Sequence, residues 1–305
     1  MTGNKLKSYD REEVAQALRD EGLNSKANRY LDCKEDQVVI NCRDCGNVEL
    51  YDKTCQLGVC DKCESSKKLE VFQRYRQIAR HIDNPLQIEV TKKNTKDLTK
   101  EDLREIRDQF HELRDRISDL SAQEIINHEC WENVADSNKS RDIGIMVENG
   151  WDIEIKGGIY AIETKNVNGS WNTHIHALLD VKYIPQPILS ALWEDVSGDP
   201  VVHVQSVNDT DSAISYLTKY MCKPPEIEQV EDLAVYERAT HNLRLMGSFG
   251  HLYNIDVEDI ESECPECGST NLEWIGSASF WSGFMSDSSP ETKDPPDQTK
   301  LFIPA

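Results

Sequence analysis

The sequence of 305 residues lacks any long hydrophobic run. It has no stretch of about 18 apolar residues, the length that a membrane-spanning helix requires, so such a helix is excluded. The first residues, MTGNKLKSYDREE, have no apolar segment after the basic ones, and we therefore expect no secretory signal. No G-x-x-x-x-G-K-[ST] loop occurs, so we expect no built-in ATPase. These absences predict a protein of the cytoplasm that does not contact membranes.

Basic residues are scarce, with 34 Lys and Arg against 55 Asp and Glu and a net charge of −21. Nucleic acids normally bind to basic surfaces, so this charge at first argues against a nucleic-acid partner. The alternative is adaptation to molar salt, where the Debye length is about 3 Å and acidic side chains keep the surface hydrated. Residues 67–118 hold 13 Lys and Arg against 10 Asp and Glu, a local net charge of +3. This distribution favours a salt-adapted surface with one face that still meets a polyanion.

Cysteine, in contrast, is plentiful, and six of the ten cysteines form three C-x-x-C pairs. In a chain without an export signal this pattern predicts metal sites rather than disulfides. Two of the pairs are close to the spacing of a four-cysteine zinc ribbon, and four thiolates close a tetrahedral shell around a structural ion. We therefore expect one structural Zn²⁺ held by Cys42, Cys45, Cys60 and Cys63.

The third C-x-x-C pair, Cys264 and Cys267, is a zinc half-site whose remaining ligands the spacing does not identify. His251, Cys33 and Cys55 are candidates. Cys33 and Cys55 also flank the first predicted site, so either can replace one of its ligands.

Hydrophobic periodicity predicts an α+β fold with a mainly antiparallel sheet. Alternating runs predict strands over 86–91, 158–165, 173–180 and 201–207. Helical spacing of apolar residues predicts helices over 68–82, 99–117, 187–196, 211–223 and 233–245. The expected order of domains is a polar lead (1–32), a zinc ribbon (33–68), a core (69–257), a small C-x-x-C element (258–284) and a disordered tail (285–305).

Two histidines, His174 and His176, are two residues apart on a predicted strand and so share one face of it. Asn168-Gly169 lies between this strand and the previous one and predicts a type I′ hairpin turn, because both central residues need a positive φ. A two-residue turn places Glu163 opposite His174, with Cβ atoms about 5 Å apart. Two imidazoles and a carboxylate then predict an open site for a divalent cation. The alternative is a Glu–His ion pair on a solvated face.

The segment SYLTKYMCK places Tyr216, Lys219, Tyr220 and Lys223 on one stripe of a helix, because they stand at offsets 0, 3, 4 and 7. A tyrosine hydroxyl, whose unperturbed pKa is about 10, can act as a nucleophile when neighbouring cations favour the phenolate. The alternative is an amphipathic helix whose two tyrosines lie at the edge of its apolar face.

Together these motifs resemble the rolling-circle replication initiators of the HUH endonuclease superfamily. The resemblance covers residues 157–225, with THIHALLD as the metal-binding HxH strand and AISYLTKYMCKPP as the helix of the two-tyrosine branch. LQIEVTKKN stands where the first strand motif of the family would be, but it matches poorly and receives no role. The acidic composition suggests a plasmid or virus of a halophilic archaeon.

The resemblance implies that Mg²⁺ or Mn²⁺, held by the two histidines and Glu163, polarises the scissile phosphate of single-stranded DNA at a replication origin. Tyr216 or Tyr220 then attacks and becomes joined to the 5′-phosphate, while the two lysines stabilise the developing charge. The free 3′-OH primes synthesis, and the second tyrosine ends the round. A host helicase and polymerase are the implied partners.

Other functions remain open at this point. A two-tyrosine HUH transposase would use the same chemistry on another DNA, although the short chain favours an initiator. A conjugative relaxase is disfavoured because its tyrosine normally precedes the histidines. The remaining alternatives are a zinc-ribbon DNA-binding regulator without activity and a metallohydrolase that uses activated water and forms no covalent intermediate.

Overall fold

The structure, a computed structural model, describes residues 9–207, 209–222, 225–257 and 263–279, without the side chains of residues 64–66 and 220–222. The tail predicted over 285–305 lies outside the described residues. Within these ranges the helices are α1 (Arg11–Asp20), α2 (Asn24–Leu31), α3 (Glu64–Ala79), α4 (Lys100–Asp119), α5 (Ala122–Asn127), α6 (Asp136–Glu148), α7 (Gln186–Ser197), α8 (Thr210–Cys222) and α9 (Val230–Ala239). The strands are β1 (Gln37–Cys42), β2 (Val48–Asp52), β3 (Pro85–Thr95), β4 (Gly157–Val167), β5 (Ser170–Asp180), β6 (Val202–Ser206), β7 (Met246–Gly250) and β8 (Leu272–Ser277). Among the described helices, none has the length and apolar character needed to cross a bilayer.

The larger sheet has the strand order β6-β3-β5-β4-β7, and each neighbouring pair is antiparallel. This confirms the predicted α+β class with an antiparallel sheet. The central strand β5 and its neighbour β4 form the predicted hairpin around Asn168 and Gly169, which have φ values of 56° and 69°. Positive φ at both positions matches the twist of the flanking strands and fixes a two-residue turn. Glu163 is therefore paired with His174, as predicted.

Helices cover both faces of this sheet, and the period of two along each strand decides which residues each layer meets. On one face Ile88, Ile162 and Ile175 join the larger core, to which α4 contributes Phe110. On the other face Ile159, Ala161 and Leu178 pack with residues of α3 and α8. His174 and His176 occupy even positions of β5 and so lie on the face of α3 and α8, which we call the histidine face.

Helix α8 carries the tyrosine motif and packs on the histidine face against β4 and β5. At its start the Asp209 carboxylate accepts a hydrogen bond from the Asp211 N–H. This N–H is one of those in the first turn of a helix that have no carbonyl partner within the helix. Asp211 also pairs with Arg76 of α3, with 2.6 Å between nitrogen and oxygen. Ile214 and Leu217 are fully buried between α3 and the sheet. These contacts place one side of α8 in the core and leave Tyr216, which is half-buried, at its border.

The smaller sheet has the order β2-β1-β8 and joins segments from opposite ends of the chain. Residues 33–68 and 258–284, predicted as separate zinc elements, are thus connected through β8, which pairs with β1. Of the predicted polar lead, the described residues 9–32 also belong to the folded body, since α1 packs against α9. Its residues Val14 and Leu18 are buried in the larger core.

The predicted helix over 233–245 is only partly present. Helix α9 ends at Ala239, and Met246–Gly250, which follows the predicted helix and received no prediction, forms edge strand β7 against β4. The pairing of β7 with β4 requires glycine at two positions. A Cβ atom at Gly247 would collide with Tyr160, and one at Gly250 would collide with the Lys156 carbonyl.

We predict that Leu217→Ala lowers the free energy of unfolding by about 2 to 5 kcal/mol, because it leaves a cavity under α8. Ser215→Ala, an exposed change on the same helix, should leave stability nearly unchanged. Denaturant titration of the zinc-loaded protein in molar salt measures both. Equal stability of the two variants would contradict the packing of α8 described above.

Candidate metal and nucleophile site

The histidine face presents two rows of side chains that run across three strands. One row contains Thr91 of β3, His174 of β5 and Glu163 of β4. The next row contains Glu89 and His176, which are paired in the same way. The ring centroids of the two histidines are 6.2 Å apart. The first row depends on pairing of β5 with both β3 and β4, and the second depends on pairing with β3, so the side chains converge only in the folded sheet.

Within this site His176 lies between two carboxylates. Its Nε2 is 3.2 Å from Glu163 Oε2, and its Nδ1 is 3.6 Å from Glu89 Oε2. The Lys165 ammonium also lies 3.2 Å from Glu163 Oε2. Burial alone would raise the pKa of Glu163, but the hydrogen bond from His176 and the charge of Lys165 hold that pKa below its usual range. Glu163 is therefore a carboxylate at neutral pH.

His174 has a different environment and remains neutral. Its Nδ1 is 2.9 Å from the Thr91 hydroxyl and 3.4 Å from Glu89 Oε1. Burial lowers the pKa of His174 below its usual range, although Glu89 and Glu163 oppose this shift. A neutral imidazole keeps a lone pair on one nitrogen, as a metal ligand must.

Glu89 and Thr91 are site residues that the sequence analysis missed. Both lie in LQIEVTKKN, where the poor match to a known motif gave no role to any residue. The alternation of this strand was visible, but its partner and register were not, because β3 and β5 are about 85 residues apart in the chain. A pairing of Glu89 with His176 would have identified the carboxylate.

The donor set suits a divalent cation, although the side chains do not yet surround one point. Neighbouring ligands of an octahedral Mg²⁺ with bonds of about 2.1 Å lie about 3.0 Å apart, close to the 3.2 Å between His176 Nε2 and Glu163 Oε2. Among the described residues, however, only two groups of cysteines bring three or more donor atoms within 4.8 Å of one another. A cation that took both histidines and Glu163 would require a side-chain adjustment.

The tyrosine helix reaches this site. The Tyr216 ring meets the His176 ring edge to face, with centroids 5.8 Å apart and planes at 83°. Tyr216 is half-buried, and Lys219, one turn further along α8, is exposed. The side chain of Tyr220 and the whole of Lys223 lie outside the described residues. The structure therefore brings one of the two predicted nucleophiles to the histidines.

The cysteines form two groups of four, each compatible with a structural zinc ion. Cys33, Cys55, Cys60 and Cys63 make the first group, which is buried at the start of α3. The distance from the Cys63 sulfur to the Cys33 sulfur is 3.3 Å, and that to the Cys55 sulfur is 3.6 Å. Thiolates around a tetrahedral Zn²⁺ with bonds of about 2.3 Å lie about 3.8 Å apart, so small movements would admit the ion.

The second group consists of Cys42, Cys45, Cys264 and Cys267. The sulfur of Cys42 is 3.6 Å from that of Cys267, and the sulfur of Cys45 is 3.6 Å from that of Cys264. The predicted set Cys42, Cys45, Cys60 and Cys63 is therefore wrong, because β8 pairs with β1 and carries the distant C-x-x-C turn to the first one. His251 does not join this group either. Its Nε2 donates a hydrogen bond to the His81 carbonyl at 3.0 Å and lies 3.4 Å from the Asp180 carboxylate.

We predict that the protein binds two zinc ions and that paired substitutions distinguish the two ligand groupings. Cys45→Ser with Cys60→Ser should lose both ions, because these residues belong to different groups. Cys45→Ser with Cys267→Ser should lose only one. Elemental analysis of purified protein gives the count, and Cys130→Ser, outside both groups, should retain two ions. Retention of one ion by the Cys45/Cys60 pair would restore the grouping predicted from spacing.

We also predict that stability falls between pH 7.5 and 5.5 partly through His174. Its folded pKa is below the ordinary value of about 6.5, so in this interval the unfolded chain binds more protons and acid favours unfolding. One such group contributes at most about 1.4 kcal/mol per pH unit. His174→Gln should flatten the pH dependence of the denaturation midpoint, whereas His203→Gln, at an exposed site, should not. Identical slopes for wild type and His174→Gln would contradict the buried neutral imidazole.

The chain was compared with known protein families, with curated proteins and with solved structures. No family, curated protein or solved structure matches it. What can be said of its function therefore depends on the residues and geometry of the site.

Proposed function

We propose that this protein is a rolling-circle replication initiator with an HUH-type core, which cuts and rejoins single-stranded DNA through a covalent phosphotyrosine. The observation that carries the proposal is the edge-on contact between Tyr216 and His176, at 5.8 Å between ring centroids. These residues are 40 positions apart in the sequence, and their contact brings a phenol, a possible nucleophile, beside an imidazole of the candidate cation site.

The chemistry of the site supports the same function. A divalent cation bound by the histidines and Glu163 would withdraw charge from a phosphate oxygen. Glu163, held ionised by His176 and Lys165, supplies the hard oxygen ligand that Mg²⁺ and Mn²⁺ prefer. Neutral His174 supplies a nitrogen ligand without first losing a proton.

In the proposed reaction the Tyr216 oxygen attacks the phosphorus of the scissile phosphodiester. A bond from the phenol oxygen to phosphorus forms, the bond from phosphorus to the 3′-oxygen breaks, and the phenol proton is lost while the 3′-oxygen gains one. Lys219 lies one turn from Tyr216 on the exposed side of α8, where an ammonium can approach the phosphate. The spacing assigns Tyr220 to the reverse or second transfer and Lys223 to the same role as Lys219. Because the exchange conserves the phosphodiester energy, rejoining needs no ATP.

The two cysteine groups have a structural role in this proposal. Four thiolates leave no open position for substrate on a tetrahedral ion. The first group lies at the start of α3, which packs against α8. Zinc bound there would fix the start of α3 and so stabilise the position of the tyrosine helix. Single-stranded DNA at an origin is the proposed partner.

We predict that the protein forms a covalent adduct with single-stranded DNA and that the adduct requires a tyrosine of α8. A pool of oligonucleotides labelled at the 3′ end is incubated with zinc-loaded protein, Mn²⁺ and molar KCl. The label should move with the protein on denaturing gels, because the fragment with the 5′-phosphate stays attached. Tyr216→Phe with Tyr220→Phe should abolish the adduct, and the single variants show which phenol attacks first.

Tyr253→Phe, an exposed tyrosine outside α8, is the matched control and should leave the adduct yield unchanged. His174→Ala should abolish the adduct while DNA binding remains. Cleavage without an adduct would indicate a metallohydrolase instead. DNA binding with neither cleavage nor adduct in the wild type would indicate a zinc-ribbon regulator and overturn the proposal.

A further inference from the structure

We infer that Glu89 is a positioning residue that sets the orientation and tautomer of both histidines for cation binding. The inference rests on the proposed cation site and assigns a role to a strand that the sequence motifs left without one. Glu89 does not touch the reacting atoms; it acts through the two imidazoles.

One carboxylate spans the Nδ1 atoms of both rings. Glu89 Oε1 is 3.4 Å from His174 Nδ1, and Glu89 Oε2 is 3.6 Å from His176 Nδ1. Each oxygen serves a different ring, which a single carboxylate achieves only from a position between them. Glu89 occupies that position because β3 pairs with β5 and aligns it with His176.

A negative charge beside Nδ1 selects the tautomer that carries its proton there. At His174 the proton then points at Glu89, and the lone pair remains on Nε2. At His176 the Nε2–H donates to Glu163 in the absence of a cation, so a cation would take the place of that proton and leave the remaining one on Nδ1, beside Glu89. A histidine that binds a metal commonly donates its other N–H to an oxygen in this way. The distances of 3.4 and 3.6 Å are longer than a hydrogen bond of about 2.9 Å, so in this structure Glu89 acts on both Nδ1 atoms through its negative charge.

The two carboxylates therefore have separate tasks. The Glu163 side chain is 12% exposed and lies on the Nε2 side of His176, where a ligand belongs. The Glu89 side chain is 25% exposed and lies on the Nδ1 side of both rings. Thr91 assists at His174 alone, through its hydroxyl at 2.9 Å. Loss of Glu89 should thus disturb both histidines, whereas loss of Thr91 should disturb one.

The test measures Mn²⁺ binding to zinc-loaded protein by calorimetry or electron paramagnetic resonance. Glu89→Ala should weaken Mn²⁺ affinity about 10- to 100-fold, the usual effect of removing an oxygen that orients a ligand. Glu89→Gln keeps an acceptor but removes the charge, so it should recover part of the loss. Glu101→Gln, which removes one negative charge from exposed α4, is the control for net charge and should leave affinity unchanged.

Ring ¹⁵N NMR of the protein without Mn²⁺ measures the histidine tautomer, which would not change if Glu89 only stabilised the fold. Wild-type His174 should carry its proton on Nδ1, and Glu89→Ala should shift that population toward the Nε2 tautomer. Unchanged Mn²⁺ affinity together with unchanged ring shifts in Glu89→Ala would overturn the inference. Wild-type Mn²⁺ binding without a DNA adduct would overturn only the nicking function. A wild type that binds no Mn²⁺ at this site would overturn the cation site and this inference together.

Discussion

The register of the β4–β5 hairpin is the constraint on which the candidate site depends. Asn168 and Gly169 adopt positive φ in the turn, and every pairing along the two strands follows from that two-residue loop. A slip of one residue would move both histidines to the opposite face, which is filled by the larger core. The backbone N–H of Asn166 donates to Glu226 and that of Asn168 to Glu228, so the segment after α8 also holds the hairpin tip. The turn and the exit of the tyrosine helix therefore stabilise one register together.

The histidine face is divided into an apolar and a polar half, and this division explains where the tyrosine lies. Ile159 and Leu178 lie at one end of the hairpin and pack with Ile214 and Leu217 of α8. Toward the turn the same face carries the two rows of histidines and carboxylates, which no apolar helix face could cover without burying charge. Helix α8 thus packs on the apolar half, and Tyr216 meets His176 at the boundary, where a phenol can bury its ring against an imidazole.

Local chemistry made much of this fold predictable, whereas pairing between distant segments did not. The hairpin, the pairing of Glu163 with His174 and the helix of Tyr216 all follow from residues within about 12 positions of one another. The partners of β3 and β8 do not, because the pairing of strands far apart in the chain depends on the assembled fold and not on the local pattern of either strand. For this reason Glu89 was missed, and Cys42 was grouped with Cys60 by nearness in sequence instead of with Cys264 across the sheet. Edge strand β7 was not predicted, because its glycines matter only once β4 lies beside it.

The acidic chain would repel the DNA that we propose as its substrate, and this repulsion has to be overcome at the candidate site. A phosphodiester approaching Tyr216 would meet Glu89 and Glu163 near His176, and in a partly buried site such repulsion is screened far less than at the surface. Lys165 is already paired with Glu163 and offsets only one of these charges. Molar salt screens the long-range repulsion between DNA and a chain of net charge −21, but it does not screen the repulsion between groups a few ångströms apart. In the proposed function a divalent cation held by these carboxylates would reverse the sign of the local field, so that groups which would otherwise repel the phosphate would instead hold the ion that attracts it.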